Sequence, residues 1–295
     1  MLGTFYYPWY GDGKNLWRHW KEDYHNPPQT WASNFAPDLD SSAYDPSNQL
    51  YGSLEDRVIQ RQISLMKQAG LDFAVSSWWG SGDYTDQAFK NALAISKKEN
   101  PGLRWCLYYE KEGYANLQES VMGSDLEYIS GTYSKDSAYL KIDGKPVVFV
   151  YSNADDSLDY IQRWGRAHQN FGNVFVVLKV VKGFRQYANL VDSWHQYAPA
   201  NRIAKFEPYS AFVSPGYWKY HERPKLERNL GQFREAVRQL KDMNVQFQLV
   251  ETWNEFHEGT MIEPARQIVH NDGNPPFREA GGGSYGTEFI DAMRD

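Results

Sequence analysis

The sequence predicts an α/β fold, most simply a single (β/α)8 TIM barrel, and three observations point to it. Short apolar runs rich in Val, Phe, Tyr and Ile recur along the 295 residues. Most are followed by an amphipathic helical stretch, the pattern of repeated βα units. Eight runs can be distinguished, the number that closes a parallel barrel over about 250 residues. No linker divides the chain, so residues 1–295 read as one domain. A doubly wound open sheet is the runner-up, because the helices after the fifth and sixth runs are weakly marked.

The strand runs are residues 4–8, 72–77, 104–109, 146–151, 174–179, 190–195, 202–207 and 246–253. Helices are clearest at 54–69, 85–98, 157–169 and 226–243. In the first, Leu54, Val58, Ile59, Ile63, Leu65 and Met66 make one apolar face with Arg57, Arg61 and Lys67 between them, and Gly70 is the stop. Two insertions interrupt the pattern: 11–53, rich in Trp, Tyr, Pro, Asn and Asp, and 211–225. Both are expected at the C-terminal face of the barrel, where long βα loops build active sites.

Composition excludes some functions. With 31 Lys+Arg against 37 Asp+Glu the net charge is −6, which argues against a partner gripped by its phosphate backbone. The helical run 226–243 mixes its basic residues with acidic ones and reads as a solvated face. A lone Cys106 excludes an intramolecular disulfide and a Cys-based zinc site, and the seven His form no HExxH or HxH spacing, so neither metal nor cofactor is expected. No window approaches the ~20 apolar residues of a membrane span. The opening MLGTFYYPWYG carries no basic segment or cleavage site, so a cytoplasmic protein is expected, or a secreted one relieved of its leader. A monomer is expected.

The 15 Phe, 11 Trp and 21 Tyr, 16% of the chain, exceed what a packed core needs, and many fall at strand ends. At or just beyond those ends stand Tyr7, Trp9 and Tyr10; Trp78 and Trp79; Glu110; Tyr151 and Asn153; His195 and Tyr197; Glu207 and Tyr209; and Asn254 and His257. Planar rings that stack on pyranose faces, with carboxylates and amides that bond hydroxyls, suit a sugar site. The alternative is that the rings only fill the barrel mouth.

The sharpest local signal is Trp253-Asn254-Glu255-Phe256-His257-Glu258-Gly259-Thr260, after a very apolar strand. In a helical turn, Glu255 and Glu258 would share one side with Cβ atoms about 5–6 Å apart. Two carboxylates that close cannot both ionise freely, and the split supplies a general acid and a general base. A solvated helix face would show the same E-x-x-E spacing; the position after an apolar strand favours catalysis.

Other matches carry less. Gly281, Gly283 and Gly286 fit G-x-G-x-x-G, but too little chain follows for a βαβ unit, which excludes a dinucleotide site. Asp38, Asp40 and Asp45 lack the Gly and terminal Glu of a calcium loop. No GxSxG elbow or P-loop is present.

Taken together, these residues resemble glycoside hydrolase family 99, the endo-α-1,2-mannosidases and endo-α-1,2-mannanases. The matching pieces are Phe5-Tyr6-Tyr7-Pro8-Trp9-Tyr10-Gly11 with Trp17, His19 and Trp20; Ser77-Trp78-Trp79-Gly80; Tyr108-Tyr109-Glu110; Ser214-Pro215-Gly216-Tyr217; and Asn254-Glu255-Phe256-His257-Glu258-Gly259-Thr260 with Ile262 and Glu263. They span essentially the whole chain. The resemblance implies a metal-independent (β/α)8 barrel that hydrolyses α-mannosides within an oligosaccharide or polysaccharide and retains the anomeric configuration. It implies that Glu255 is the base that takes the proton of the sugar's 2-hydroxyl and Glu258 the acid that protonates the leaving oxygen. Substrate-assisted retention of this kind is an exception to the usual two-carboxylate scheme. The resemblance also places Glu110 beside the neighbouring sugar, and Tyr7, His19, Trp78 or Trp79, and Tyr197 in the wall. His257, between the two glutamates, could bond a hydroxyl or a carboxylate.

Phe256 stands where Trp is usual in the family, and the chain is shorter than typical members. A related group with the same WNE-x-x-E-G ending accompanies glycosyltransferases of polysaccharide synthesis. That leaves a non-catalytic glycan-binding or polysaccharide-assembly protein as the alternative, beside a barrel hydrolase of another sugar. The opening YYPWYG favours the hydrolase.

Overall fold

The computed structural model describes residues 1–11, 35–37, 51–114, 117–152, 158–219, 222–267 and 286–295. Its strands are β1 (Leu2–Tyr6), β2 (Phe35–Pro37), β3 (Phe73–Trp78), β4 (Arg104–Tyr109), β5 (Lys141–Ile142), β6 (Lys145–Val150), β7 (Phe175–Lys179), β8 (Ser193–His195), β9 (Ile203–Phe206), β10 (Ser210–Val213), β11 (Phe247–Val250) and β12 (Ala265–Gln267). The α-helices are α1 (Asp56–Gln68), α2 (Tyr84–Glu99), α3 (Glu119–Tyr133), α4 (Leu158–Asn170), α5 (Leu230–Lys241) and α6 (Glu288–Ala292).

Parallel pairing runs through β8-β7-β6-β4-β3-β1-β11-β10. Thr4 of β1 sits opposite both Ala74 of β3 and Val250 of β11, so the last parallel strand returns to the first. A doubly wound sheet reverses its direction of growth at a switch point; here each new strand advances the same way round. The two ends of this parallel run, β8 and β10, come near each other, and the result is a nearly closed (β/α)8 barrel.

The strands are apolar on both faces because both faces are covered, as parallel sheets require. Inward residues stack as aromatic layers: Phe5 on Tyr108 at 4.8 Å, Phe149 on His195 at 5.2 Å, and Phe149 on Phe247 at 5.0 Å. Outward residues meet the helices. The Trp78 indole donates to Asp86 of α2 at 2.9 Å, and the Tyr109 hydroxyl to Asp125 of α3 at 2.6 Å. On α1, Val58, Ile59, Ile63 and Met66 are buried, the face that their spacing marks. Asp83 and Asn229 cap α2 and α5 by accepting from the Thr85 and Gln232 amides. Among the described residues, no helix is long and apolar enough to cross a membrane.

The seventh strand differs from the expectation. Residues 202–207 contain β9, which pairs antiparallel with β10, and it is β10 that lies parallel to β11 in the barrel. Burial explains the exchange: β10 is wholly buried, whereas β9 is half-buried with one residue exposed. The insertion expected at 211–225 therefore starts after Val213. The fifth connection is a 3-10 segment, Phe184–Leu190, and the sixth is the short link into β9, which is why neither carries a strong helical pattern.

Candidate active site

The chain after β11 folds into a closed loop, and backbone bonds explain its shape. Thr252 donates its amide to the Thr260 carbonyl at 2.7 Å, and the two hydroxyls meet at 3.0 Å. Gly259 makes the reversal at φ +64, a left-handed conformation that side chains disfavour. Beneath it, the buried Arg228 guanidinium donates to the Gly259 and Met261 carbonyls at 2.8 and 2.9 Å. The carboxylate pair thus stands on a clasped turn rather than on a helix face, which corrects the helical geometry expected from E-x-x-E.

Each carboxylate has its own support. Glu255 is buried, and its Oε1 accepts the His257 amide at 3.0 Å, with His257 Nδ1 3.3 Å away. Glu258 Oε2 accepts the Tyr197 hydroxyl at 2.6 Å, while Lys219 Nζ lies 3.3 Å from Oε1. The Glu258 side chain is 19% exposed against 4% for Glu255, so water reaches the former far more readily.

A third carboxylate faces this pair. Glu110, directly after β4, is buried, and that burial, reinforced by the charges of Glu255 and Glu258, pushes its pKa up to about 8 against the pull of Ser77 and Lys179. The Tyr7 phenol responds to the same groups: burial first, then Glu110, Glu255 and Glu258, raise it well above its ordinary value. Three carboxyl groups and one phenol therefore converge at the C-terminal mouth of the barrel. Trp9 stacks on Tyr7 at 4.5 Å and is partly open to solvent. Trp79 and Tyr151 are half-buried at the ends of β3 and β6, and Lys179 Nζ lies 5.0 Å over the Tyr151 ring.

The other candidates take different places. Asn254 is fully buried, and its side chain clamps the Tyr7 backbone: Oδ1 accepts the amide at 2.7 Å and Nδ2 donates to the carbonyl at 3.0 Å. Tyr10, also buried, donates its hydroxyl to the Asn254 carbonyl at 2.6 Å. His195 lies in the barrel interior with Nε2 3.0 Å from the Val150 carbonyl, and burial drives its pKa down to about 3, which leaves it neutral. Trp78 points outward to α2. Tyr209 precedes β10, and the Phe247 amide at the start of β11 donates to its carbonyl, so it sits at the opposite end of the barrel. His19, Trp20 and Asn153 lie outside the described residues.

Sequence reasoning passed over Lys219, Lys179 and Glu251. Lys219, in a polar loop, has no periodicity to betray it, and Lys179 reads as the polar end of an apolar strand. Glu251 had a signal, a carboxylate ending an apolar strand; it is fully buried and accepts the Ala198 amide next to Tyr197 at 3.0 Å.

Known proteins resemble this chain in sequence and in fold. The human and mouse glycoprotein endo-alpha-1,2-mannosidase-like proteins are 21% and 22% identical to the chain, each over 90% of it and over 68% and 69% of their own lengths. The structure of the GH99 endo-alpha-mannosidase from Bacteroides thetaiotaomicron superimposes with a TM-score of 0.74 over 99% of this chain and 95% of its own, at 18% identity. The same enzyme in complex with Bis-Tris propane gives 0.72 over 99% and 94%, at 20% identity. At such identities these structures speak for the fold. The sequence profile of glycosyl hydrolase family 99 matches residues 1–177, more than half of the chain, and the chain belongs to that family.

Proposed function

We propose that this protein hydrolyses internal α-mannosidic bonds, of the α-1,2 type, with retention of configuration. The observation that carries the proposal is the convergence of Glu255, Glu258 and Glu110 around Tyr7 at the barrel mouth. The endo-α-1,2-mannosidase-like names of the relatives support the choice of sugar and linkage.

In the proposed mechanism, Glu255 removes the proton of the 2-hydroxyl, and O2 attacks the anomeric carbon to form a 1,2-anhydro sugar. Glu258 gives its proton to the departing glycosidic oxygen. Water then loses a proton to Glu258 and opens the three-membered ring at the anomeric carbon, while Glu255 returns the proton to O2. Two inversions give retention. The environments suit these roles. Glu255 is enclosed and oriented by its own turn, as a base working on a fixed hydroxyl must be, whereas Glu258 opens to solvent and can take up a water-derived proton. Tyr197 fixes the Glu258 carboxylate, and Trp9, Trp79 and Tyr151 supply ring faces for neighbouring sugars.

The test is incubation with an α-1,2-linked mannan oligosaccharide and an α-glucan control, with products resolved by mass and the fresh anomer read by NMR. Release of a disaccharide or larger fragment as the α-anomer is expected from the mannan alone. Binding without cleavage would replace this reading with a glycan-binding protein, and cleavage of the glucan would replace the sugar.

A further inference from the structure

Behind the carboxylate pair lies a second, wholly buried polar cluster. Glu263 is 2% exposed, its Oε2 accepts the Tyr51 hydroxyl at 2.8 Å, and its Oε1 accepts Gln62 Nε2 of α1 at 3.0 Å. We propose that Glu263 is a positioning residue: it sets the direction of a buried hydrogen-bond chain that orients the Asn254 amide, and through it Tyr7 and the Glu255 turn.

The inference follows from donor and acceptor accounting. A carboxylate only accepts. Tyr51 must therefore spend its proton on Glu263, which leaves its oxygen only lone pairs for Asn254. Asn254 answers with its NH2 group, and Nδ2 donates to Tyr51 Oη at 3.1 Å. The same orientation places the NH2 on the Tyr7 carbonyl at 3.0 Å and Oδ1 on the Tyr7 amide at 2.7 Å, so Tyr51 and the Tyr7 backbone demand one and the same setting of Asn254. The second branch works alike: Gln62, with its NH2 on Glu263, presents Oε1 to the Tyr6 hydroxyl at 2.8 Å. One carboxylate thus fixes the Tyr6 side chain and the Tyr7 backbone, consecutive residues beside the mouth. Asn254 directly precedes Glu255, so the polarity of the chain reaches the residue proposed as the base.

The titratable groups facing Glu263 are Tyr6, Tyr10, Tyr51 and Arg61. Burial pushes Glu263 up to about 7, while Gln62, Tyr51 and Arg61 pull it down. Burial also raises the three phenols, so they stay neutral. At pH 8 the carboxylate is the acceptor that the chain requires.

Glu263→Gln keeps the shape and puts an NH2 donor against either Tyr51 or Gln62. The first test is amide hydrogen exchange at pH 8 without substrate. Exchange in peptides covering 5–10 and 251–258 should rise about tenfold or more, with the rest of the barrel unchanged. Tyr51→Phe breaks the same chain with the carboxylate in place and should give the same local pattern; it decides the matter if Glu263→Gln does not fold. Exchange within about twofold of wild type in those peptides would overturn the inference. The second test rests on the proposed mannosidase reading. With α-1,2-mannan, Glu263→Gln should lower kcat about tenfold or more with KM nearly unchanged, and Glu263→Asp, which keeps an acceptor, should recover part of the loss. A wild type without turnover would sink the mannosidase reading, and the exchange data would still decide the role of Glu263.

Discussion

Asn254 shows how far a residue's chemistry differs from its role. From sequence, an amide beside two glutamates in a sugar-binding protein reads as a ligand to a hydroxyl; in the structure its donors and acceptor serve Tyr7 and Tyr51. Tyr197 is the reverse case. It has no motif of its own, and its hydroxyl holds Glu258 at 2.6 Å. Tyr197→Phe removes the group that holds the Glu258 carboxyl in place and should lower kcat/KM roughly tenfold or more, measurable by steady-state kinetics. Glu258→Gln should suppress hydrolysis of unactivated mannosides far more than of substrates with a good leaving group, because only the former need a proton. Equal losses on both would remove Glu258 as the acid. Glu255→Gln should be severe on either substrate.

At the scale of elements, the decisive piece is the clasped turn after β11, which presents the carboxylate pair without a helix. Its support is remote in sequence. Gly216 packs so closely on Arg228 that an added Cβ would lie 2.3 Å from Arg228 Cγ and 3.1 Å from its Cα, and Arg228 holds the turn by two carbonyls. Gly216→Ala should therefore destabilise by about 1–3 kcal/mol, the usual cost of overpacking, seen as a lower urea midpoint with an unchanged slope. The same region explains the one misplaced strand. Ala204 and Phe206 alternate with Lys205 and Glu207 as a strand should, and the segment does form one, but as the antiparallel partner of β10. Alternation records that a segment is extended; it does not record which neighbour it pairs with.

At the scale of the whole molecule, the buried acids make stability depend on pH. Glu110 rises from 4.5 to about 8 and Glu263 to about 7, both chiefly through burial. Between these values the folded state holds protons that the unfolded state has released, so unfolding free energy falls as pH rises. The contribution is complete below about pH 4.5 and is lost by about pH 8. His195, held neutral down to about pH 3, works the other way below about pH 6.5, so the net fall expected in pH-dependent denaturation curves is steepest between about pH 6.5 and 7. Glu110→Gln should flatten that fall and raise Tm more at pH 8 than at pH 5. An equal Tm change at both values would show that Glu110 titrates normally.

What the sequence by itself determined is the alternation of apolar strands and amphipathic helices, the barrel this implies, and the placement of Glu110, Glu255 and Glu258 at strand ends. Those features are local, written in periods of two and 3.6 residues and in the residues that end each run. Tertiary structure decided which of two adjacent aromatics faces the mouth and which faces a helix, as with Tyr108 inward and Tyr109 outward. It decided too that β10 rather than β9 completes the barrel, and that Glu258 meets Tyr197 and Lys219. These outcomes depend on pairing between residues far apart in the chain, where burial and hydrogen-bond satisfaction of the whole set select one arrangement from many that each segment alone would allow.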